Sequence, residues 1–411
     1  MYQNKIVLLM AALSLFLTAA TGCAAKQDFN NQVQTLTAPF RFQIFTWELK
    51  TLGSEFVELF KRQPEITDND TDEVVKFFAN ARQIKELEAE IILTRENRKA
   101  GDLPVMEDEL NKLKKENTGL AGKAERVIES QISAEFSRQG IYNPAYKYTG
   151  IKIGFPPVNI ILARPPHNLV ISPRNKIETL KTMVLLPEMT LEEMESLEAS
   201  IDSLDVSSLV EGLGGISTYP SYVTDDSGIR FALDTAGEEW LHQYVAFTPL
   251  GFRYVLDLTG IKKNYDLVTI NETVASMVSK EIGDNIYREY YARYEKIETG
   301  QTKAESQFDF NREMREIRKT VDELLERGEI EQAEQYMEQQ RQYLADNGYH
   351  IRKLNQAYFA FHGTYADSPT SISPIGVELN ELRARSATLK EFLDTVTSLK
   401  NRHELADIVI D

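Results

Sequence analysis

Residues 237–242 read Gly237-Glu238-Glu239-Trp240-Leu241-His242, and thirty residues after His242 stands Glu272, inside Asn271-Glu272-Thr273. A zinc-hydrolase helix carries two histidines four apart with a glutamate directly after the first, as H-E-x-x-H. Glu239 and His242 stand at the glutamate and second histidine of that pattern, and Glu238 occupies the first histidine's place. On a helix, positions 238 and 242 share one face. Position 239 lies one step round, where a carboxylate can take a proton from water beside a metal. Glu272, from a second helix, supplies a third ligand and leaves one position open for water or substrate.

The substitution at 238 has a chemical cost. An anion in place of a neutral imidazole weakens the metal as a Lewis acid. It should also raise the pKa of the bound water above the ~7 of a well-tuned zinc site. Carboxylate-rich sites lean toward manganese, calcium or magnesium. The expected cofactor is therefore zinc, another divalent cation, or none. Two functions stay open: peptide hydrolysis with an altered ligand set, and a pseudo-peptidase that binds peptides or proteins without cutting them. In a third alternative, a structural envelope lipoprotein, the string is accidental, and Asn271-Glu272-Thr273 argues against it.

The surroundings support a folded site. Val158–Ala163, Leu169–Ser172 and Thr182–Leu186 are short β-rich runs bounded by prolines,. Thr190 with Glu193 makes a capping box that opens a helix. Leu209 through Gly214-Gly215 to Tyr219-Pro220 reads as one further strand, suited to an edge along which substrate lies. Trp240, Leu241, Tyr244, Val245 and Phe247 make the flanks of the candidate helix apolar, which buries it.

The N-terminus speaks to location. Lys5, the uncharged run Ile6–Ala20 and Ala20-Thr21-Gly22-Cys23 form a secretory signal over residues 1–22, ending in a lipobox-like site,. Cys23 is the only cysteine, so an intramolecular disulfide is impossible, and lipidation of Cys23 explains it best. The expected location is the cell envelope, with the chain lipid-anchored outside the cytoplasm. Ala24 after the cysteine favours the outer membrane in a diderm cell. Net charge is −17, which argues against nucleic acid and against an anionic membrane surface. Glycine-rich phosphate loops, the dinucleotide fingerprint and G-x-S-x-G are missing from the sequence.

Residues 23–35 read as a tether, and aromatics from Phe40 to Trp47 open the folded body, followed by helical spacing from Glu48 to Phe60. Residues 72–138 read as a coiled-coil-like helical hairpin broken at Gly101-Asp102-Leu103-Pro104, its charges forming a solvated face,. Tyr287, Tyr290, Tyr291 and Tyr294 stripe one helix. A second hairpin turns at Gly328, a helix spans Ile351–Gly363, and a Ser/Pro loop precedes the terminal helices. His362, with two tyrosines in the same region, is a candidate catalytic helper donating to an oxyanion. His167 reads as a turn residue, and His403-Glu404 imitates half of the metal motif without a third ligand.

Together, Gly212–Tyr219, Gly237–Tyr244, Pro249-Leu250-Gly251, Asn271–Ala275 and Glu281-Ile282-Gly283 resemble a family of bacterial membrane-associated zinc peptidases. That family is gluzincin-like, with a His-Glu-Trp-x-His helix and a downstream Asn-Glu-Thr helix. The tail from Gly328 to Pro374 is similar to the same family. The resemblance implies His242 and Glu272 as metal ligands and Glu239 as general base, with Glu238 where the family has histidine. It implies an α+β, zincin-like domain, a small mixed sheet packed on the active-site helix. The expected division is an N-terminal helical region (36–150), that core (151–285) and a C-terminal helical region (286–411).

Overall fold

The computed structural model describes residues 28–42, 68–95, 99–258, 265–294 and 308–410. The signal, Cys23 and the expected elements between residues 43 and 67 lie outside them.

Among the described residues the architecture is α+β, mostly helical, with two three-stranded sheets. The first sheet is antiparallel, in the order β3 (Lys181–Leu185), β2 (His167–Pro173), β4 (Val206–Gly212). Period-two alternation sends successive residues of a strand to opposite faces. Leu169 and Ile171 accordingly join one cluster while Val170, between them, joins another, and all three are fully buried. The first face is covered by α1 (residues 28–37) and α4 (Leu191–Asp202), through Val33, Leu197 and Ile201. The expected tether is thus helical from residue 28, because Phe29, Val33 and Leu36 lie on one helical stripe and pack on the sheet. The capping box on α4 is present in full, with Thr190 and Glu193 satisfying each other's backbone N–H groups. The opposite face meets Ala357 and Ala360.

The second sheet is mixed. β1 (Ile160–Leu162) runs parallel to β6 (Ser221–Val223), which pairs antiparallel with the edge strand β5 (Gly215–Ile216). The single strand expected over 209–219 is therefore two strands in two sheets. The chain breaks after Gly212 and re-pairs at Gly215. His167 opens β2 rather than lying in a turn, with Nδ1 2.9 Å from the Leu186 carbonyl oxygen.

The expected hairpin forms from α2 (Asp68–Arg95) and α3 (Leu103–Arg138), with Asp102 capping α3 and proline in its first turn, as such starts prefer,. Its charges are only partly a solvated face. Glu129 and Glu125 of α3 accept from the backbone N–H groups of Ile160 and Leu162, both at 2.9 Å, and so bind the open edge of β1. Ile128, Ile132 and Phe136 of α3 enter a large core shared with α5 (Ile229–Ala246), α7 (Tyr265–Ile286) and the terminal helices. That core crosses the expected divisions at 150 and 285. α6 (Pro249–Leu258) links α5 to α7. The tyrosine stripe follows α7 as a π turn and then a 3-10 turn rather than a regular helix.

α8 (Phe310–Glu326) and α9 (Ile330–Asp346) make the second hairpin, joined at Gly328 with φ of 75°. The expected helix over 351–363 is shorter, α10 (Gln356–His362), because Asn355 caps it at that point. α11 (Ile375–Arg385), α12 (Leu389–Thr397) and α13 (Arg402–Ile410) end the chain.

Candidate metal centre

Two antiparallel helices build the site. Near their crossing, a Cβ added at Gly237 of α5 would lie 3.3 Å from the Ser279 Cβ of α7, so small residues let the backbones approach closely. Trp240 locks the rotation of α5. It is buried, stacks on Phe136 at 4.1 Å between ring centroids, and donates from Nε1 to the Pro156 carbonyl at 2.6 Å,. Gln243 adds bonds to the Thr218 carbonyl and the Ser221 hydroxyl. With α5 held this way, Glu238 and His242 face α7.

Glu238, His242 and Glu272 converge, each offering one ligand atom, with these atoms within 4.8 Å of one another. His242 Nε2 lies 3.5 Å from Glu272 Oε2, and both side chains are nearly covered. Two ligand atoms at ~2.0–2.1 Å from a tetrahedral ion sit about 3.4 Å apart, so this pair already has the separation a cation needs. The donor set of two carboxylates and one imidazole suits a divalent cation.

The Asn271-Glu272-Thr273 triplet is explained residue by residue. Asn271, buried, places its side-chain amide 3.1 Å from His242 Nδ1 and so orients the imidazole,. Glu272 offers the candidate ligand from α7, and Tyr254 of α6 donates to its Oε1 at 2.9 Å. Thr273 accepts at Oγ1 from the Ala366 N–H at 2.8 Å. Ser276 and Lys280 bind Asp367 of the same loop. These bonds pin residues 366–367 on α7 and hold Tyr365 over the cluster, where its hydroxyl donates to Glu238.

The electrostatics follow from crowding acids in a recess. Burial lifts the Glu238 carboxyl to about 7, against the opposing pull of His242, while Glu272 pushes the same way as burial,. Burial, then Glu238 and Glu272, hold Glu239 well above the usual carboxylate range. Burial and three surrounding carboxylates likewise raise the Tyr365 phenol, which stays a proton donor at neutral pH. Glu239 lies beneath the edge strand: a Cβ at Gly215 would meet its Oε1 at 2.6 Å, so only glycine lets β5 lie so close. Ser217 also donates to the Glu239 main-chain carbonyl at 2.9 Å.

Tyr365, Tyr254 and the roles of Asn271 and Thr273 were not separable in the sequence. The one available signal for Tyr365 was its nearness to His362. His362 itself packs against the rings of Tyr358 and Phe361 and leaves its buried Nε2 without a partner, and burial lowers its pKa to about 4. Its described contacts include none of Glu238, Glu239, His242 or Glu272. Tyr365, three residues on, is the side chain of this segment that reaches Glu238. His403 lies on α13 and joins no group of three candidate ligands among the described residues. No protein-family model matches the chain, and neither the curated proteins nor the solved structures contain a match, so the likeness to gluzincin-like peptidases rests on the residues themselves.

Proposed function

We propose that this chain is a lipid-anchored envelope protein with a zincin-like domain, whose Glu238, His242 and Glu272 hold a divalent cation for peptide hydrolysis. The convergence of three ligand atoms from two separate helices carries this reading. A cation bound there supplies Lewis-acid polarisation of a peptide carbonyl. Glu239, beneath the edge strand and one position from Glu238, takes the proton from the attacking water,. Tyr365 donates to the developing oxyanion. A substrate backbone has the open edge of β5, directly over Glu239, along which to pair,. Cys23 carries the lipid, and a peptide or protein is the substrate.

One observation favours a second reading, the pseudo-peptidase. The acids of the site are partnered within it, Glu238 by Tyr365 and Glu272 by Tyr254. Such a recess can bind a peptide without cutting it.

A single series separates the two. Adding zinc or manganese to metal-free protein should raise its melting temperature, by an amount equivalent to about 2.7 kcal/mol at a hundredfold excess over Kd. Glu272→Gln should abolish that response. Glu238→His should tighten zinc binding and create or increase peptide cleavage that disappears with Glu239→Gln. Tight zinc without cleavage leaves the pseudo-peptidase standing, and no metal response in either protein removes the metal centre.

A further inference from the structure

Residues 139–177, the longest run of this acidic chain free of aspartate and glutamate, and residues 240–256 contain neither. With 63 acidic residues in 411, about six would be expected in the first stretch alone. The fold brings the two together, with the Phe155 and Phe247 rings 5.4 Å apart. Within these two stretches Tyr148, Ile151, Ile153, Phe155, Phe247 and Phe252 all stand in solvent, between 45% and 86% exposed. Every residue from 147 to 155 is exposed.

The segment is braced in this form. Asn143 donates from its side-chain amide to the carbonyls of Ile151 and Ile153, at 2.8 and 2.9 Å, and the Phe155 N–H donates to the Tyr142 carbonyl. The next residue, Pro156, is held by Trp240. The bracing occupies the backbone and leaves the apolar side chains outward. The charges among them are Lys147, Lys152 and Arg253, none in an ion pair with a described residue. Asp394 of α12 is bound by Lys390, which itself reaches the Tyr146 ring.

Exposed aromatic and aliphatic side chains flanked by cations that bind no described carboxylate, Lys152 lying over the Tyr142 ring, make the composition of a bilayer-interface contact,. Protein interfaces are depleted in lysine, and here two of the three cations are lysine. Net charge of −17 does not oppose a local contact, because charges beyond ~8 Å are screened at physiological salt. We infer that residues 147–155 with Phe247 and Phe252 form a membrane-surface contact, which sets its apolar side chains among the headgroups of an anionic bilayer. The contact does not depend on lipid at Cys23 or on metal at Glu238. Phe252 stands two residues before Tyr254, the donor to Glu272, so the contact would hold the candidate cleft close to the lipid surface.

The chain from Ala24 onward retains every described residue and can be tested on vesicles. It should bind phosphatidylcholine vesicles containing phosphatidylglycerol, bind phosphatidylcholine alone more weakly, and lose binding as salt rises. The pair Lys147→Glu and Lys152→Glu should weaken binding at least about tenfold, as should Ile153→Ser with Phe252→Ser. Val377→Ser, an exposed apolar residue elsewhere, should change nothing. In the full chain reconstituted in bilayers, a polarity-sensitive fluorophore on Ile151→Cys should shift to the blue and be quenched by brominated lipid, whereas one on Tyr343→Cys should not. Absence of vesicle binding, or equal binding by the patch variants once their folding is verified by melting, overturns the inference. So does a patch that sets the oligomeric state in size exclusion while vesicle binding stays unchanged, since that makes it a protein interface.

Discussion

Glu238 shows how one residue can alter a site while keeping its geometry. Histidine and glutamate at this position both face His242 and Glu272 from the same helical turn. Glutamate brings a charge into a recess that already holds Glu239 and Glu272. Burial, and behind it the charge of Glu272, disfavours ionisation, so Glu238 lies near half-protonation at neutral pH unless a cation relieves it,. His362 presents the opposite case, a base kept neutral by burial. Its folded pKa is lowered to about 4 against an ordinary value of about 6.5. Between those values the unfolded chain binds the proton and the folded chain does not. The stability that His362 contributes is therefore present above about pH 6.5 and is lost progressively as pH falls to about 4. His362→Phe removes this term and keeps a ring against Tyr358 and Phe361. Relative to the parent, the variant should gain stability as pH drops from 7 to 4, by about 1–3 kcal/mol, measured by urea unfolding at each pH. A constant difference across that range would refute the assignment.

At the scale of elements, the site depends on how tightly α5, α6 and α7 pack. Gly251 marks the tightest approach to main-chain atoms. A Cβ there would sit 2.0 Å from the Val245 main-chain oxygen, and a backbone atom cannot swing aside as a side chain would. Gly251→Ala must move the start of α6 away from the end of α5. The loss should be about 1–3 kcal/mol, as for other overpacked positions, and Tyr254 should be drawn off Glu272. Thermal unfolding measures the first effect. A smaller metal-induced rise in melting temperature reports the second. The α2–α3 hairpin teaches a related lesson, because helical periodicity places Glu125 and Glu129 on a polar stripe without revealing that an open strand edge is docked there.

For the whole molecule, the two proposed membrane contacts make separable predictions. Cys23→Ser should abolish lipid attachment, leaving either a released chain or an uncleaved precursor. A released chain that still sediments with membranes should come off in a high-salt wash if the patch around Ile153 holds it. Fractionation followed by a salt wash measures both. Normal processing with salt-resistant membrane association in Cys23→Ser would remove the lipid anchor from the account.

Local pattern alone was enough for both helical hairpins, the capped start of α4 and the helices bearing Glu239, His242 and Glu272. Each of these is a matter of periodicity, capping or spacing over a few residues. Tertiary structure decided the rest, since it depends on contacts between residues far apart in the chain. The strand read through Gly214-Gly215 divides between two sheets because pairing partners, not propensity, set where a strand ends. Tyr365 reaches Glu238 only because Thr273, Ser276 and Lys280 pin its loop, and His362, close by in sequence, turns instead into a wall of aromatic rings. The acid-free stretches were visible as composition, but their meeting at Phe155 and Phe247 was not.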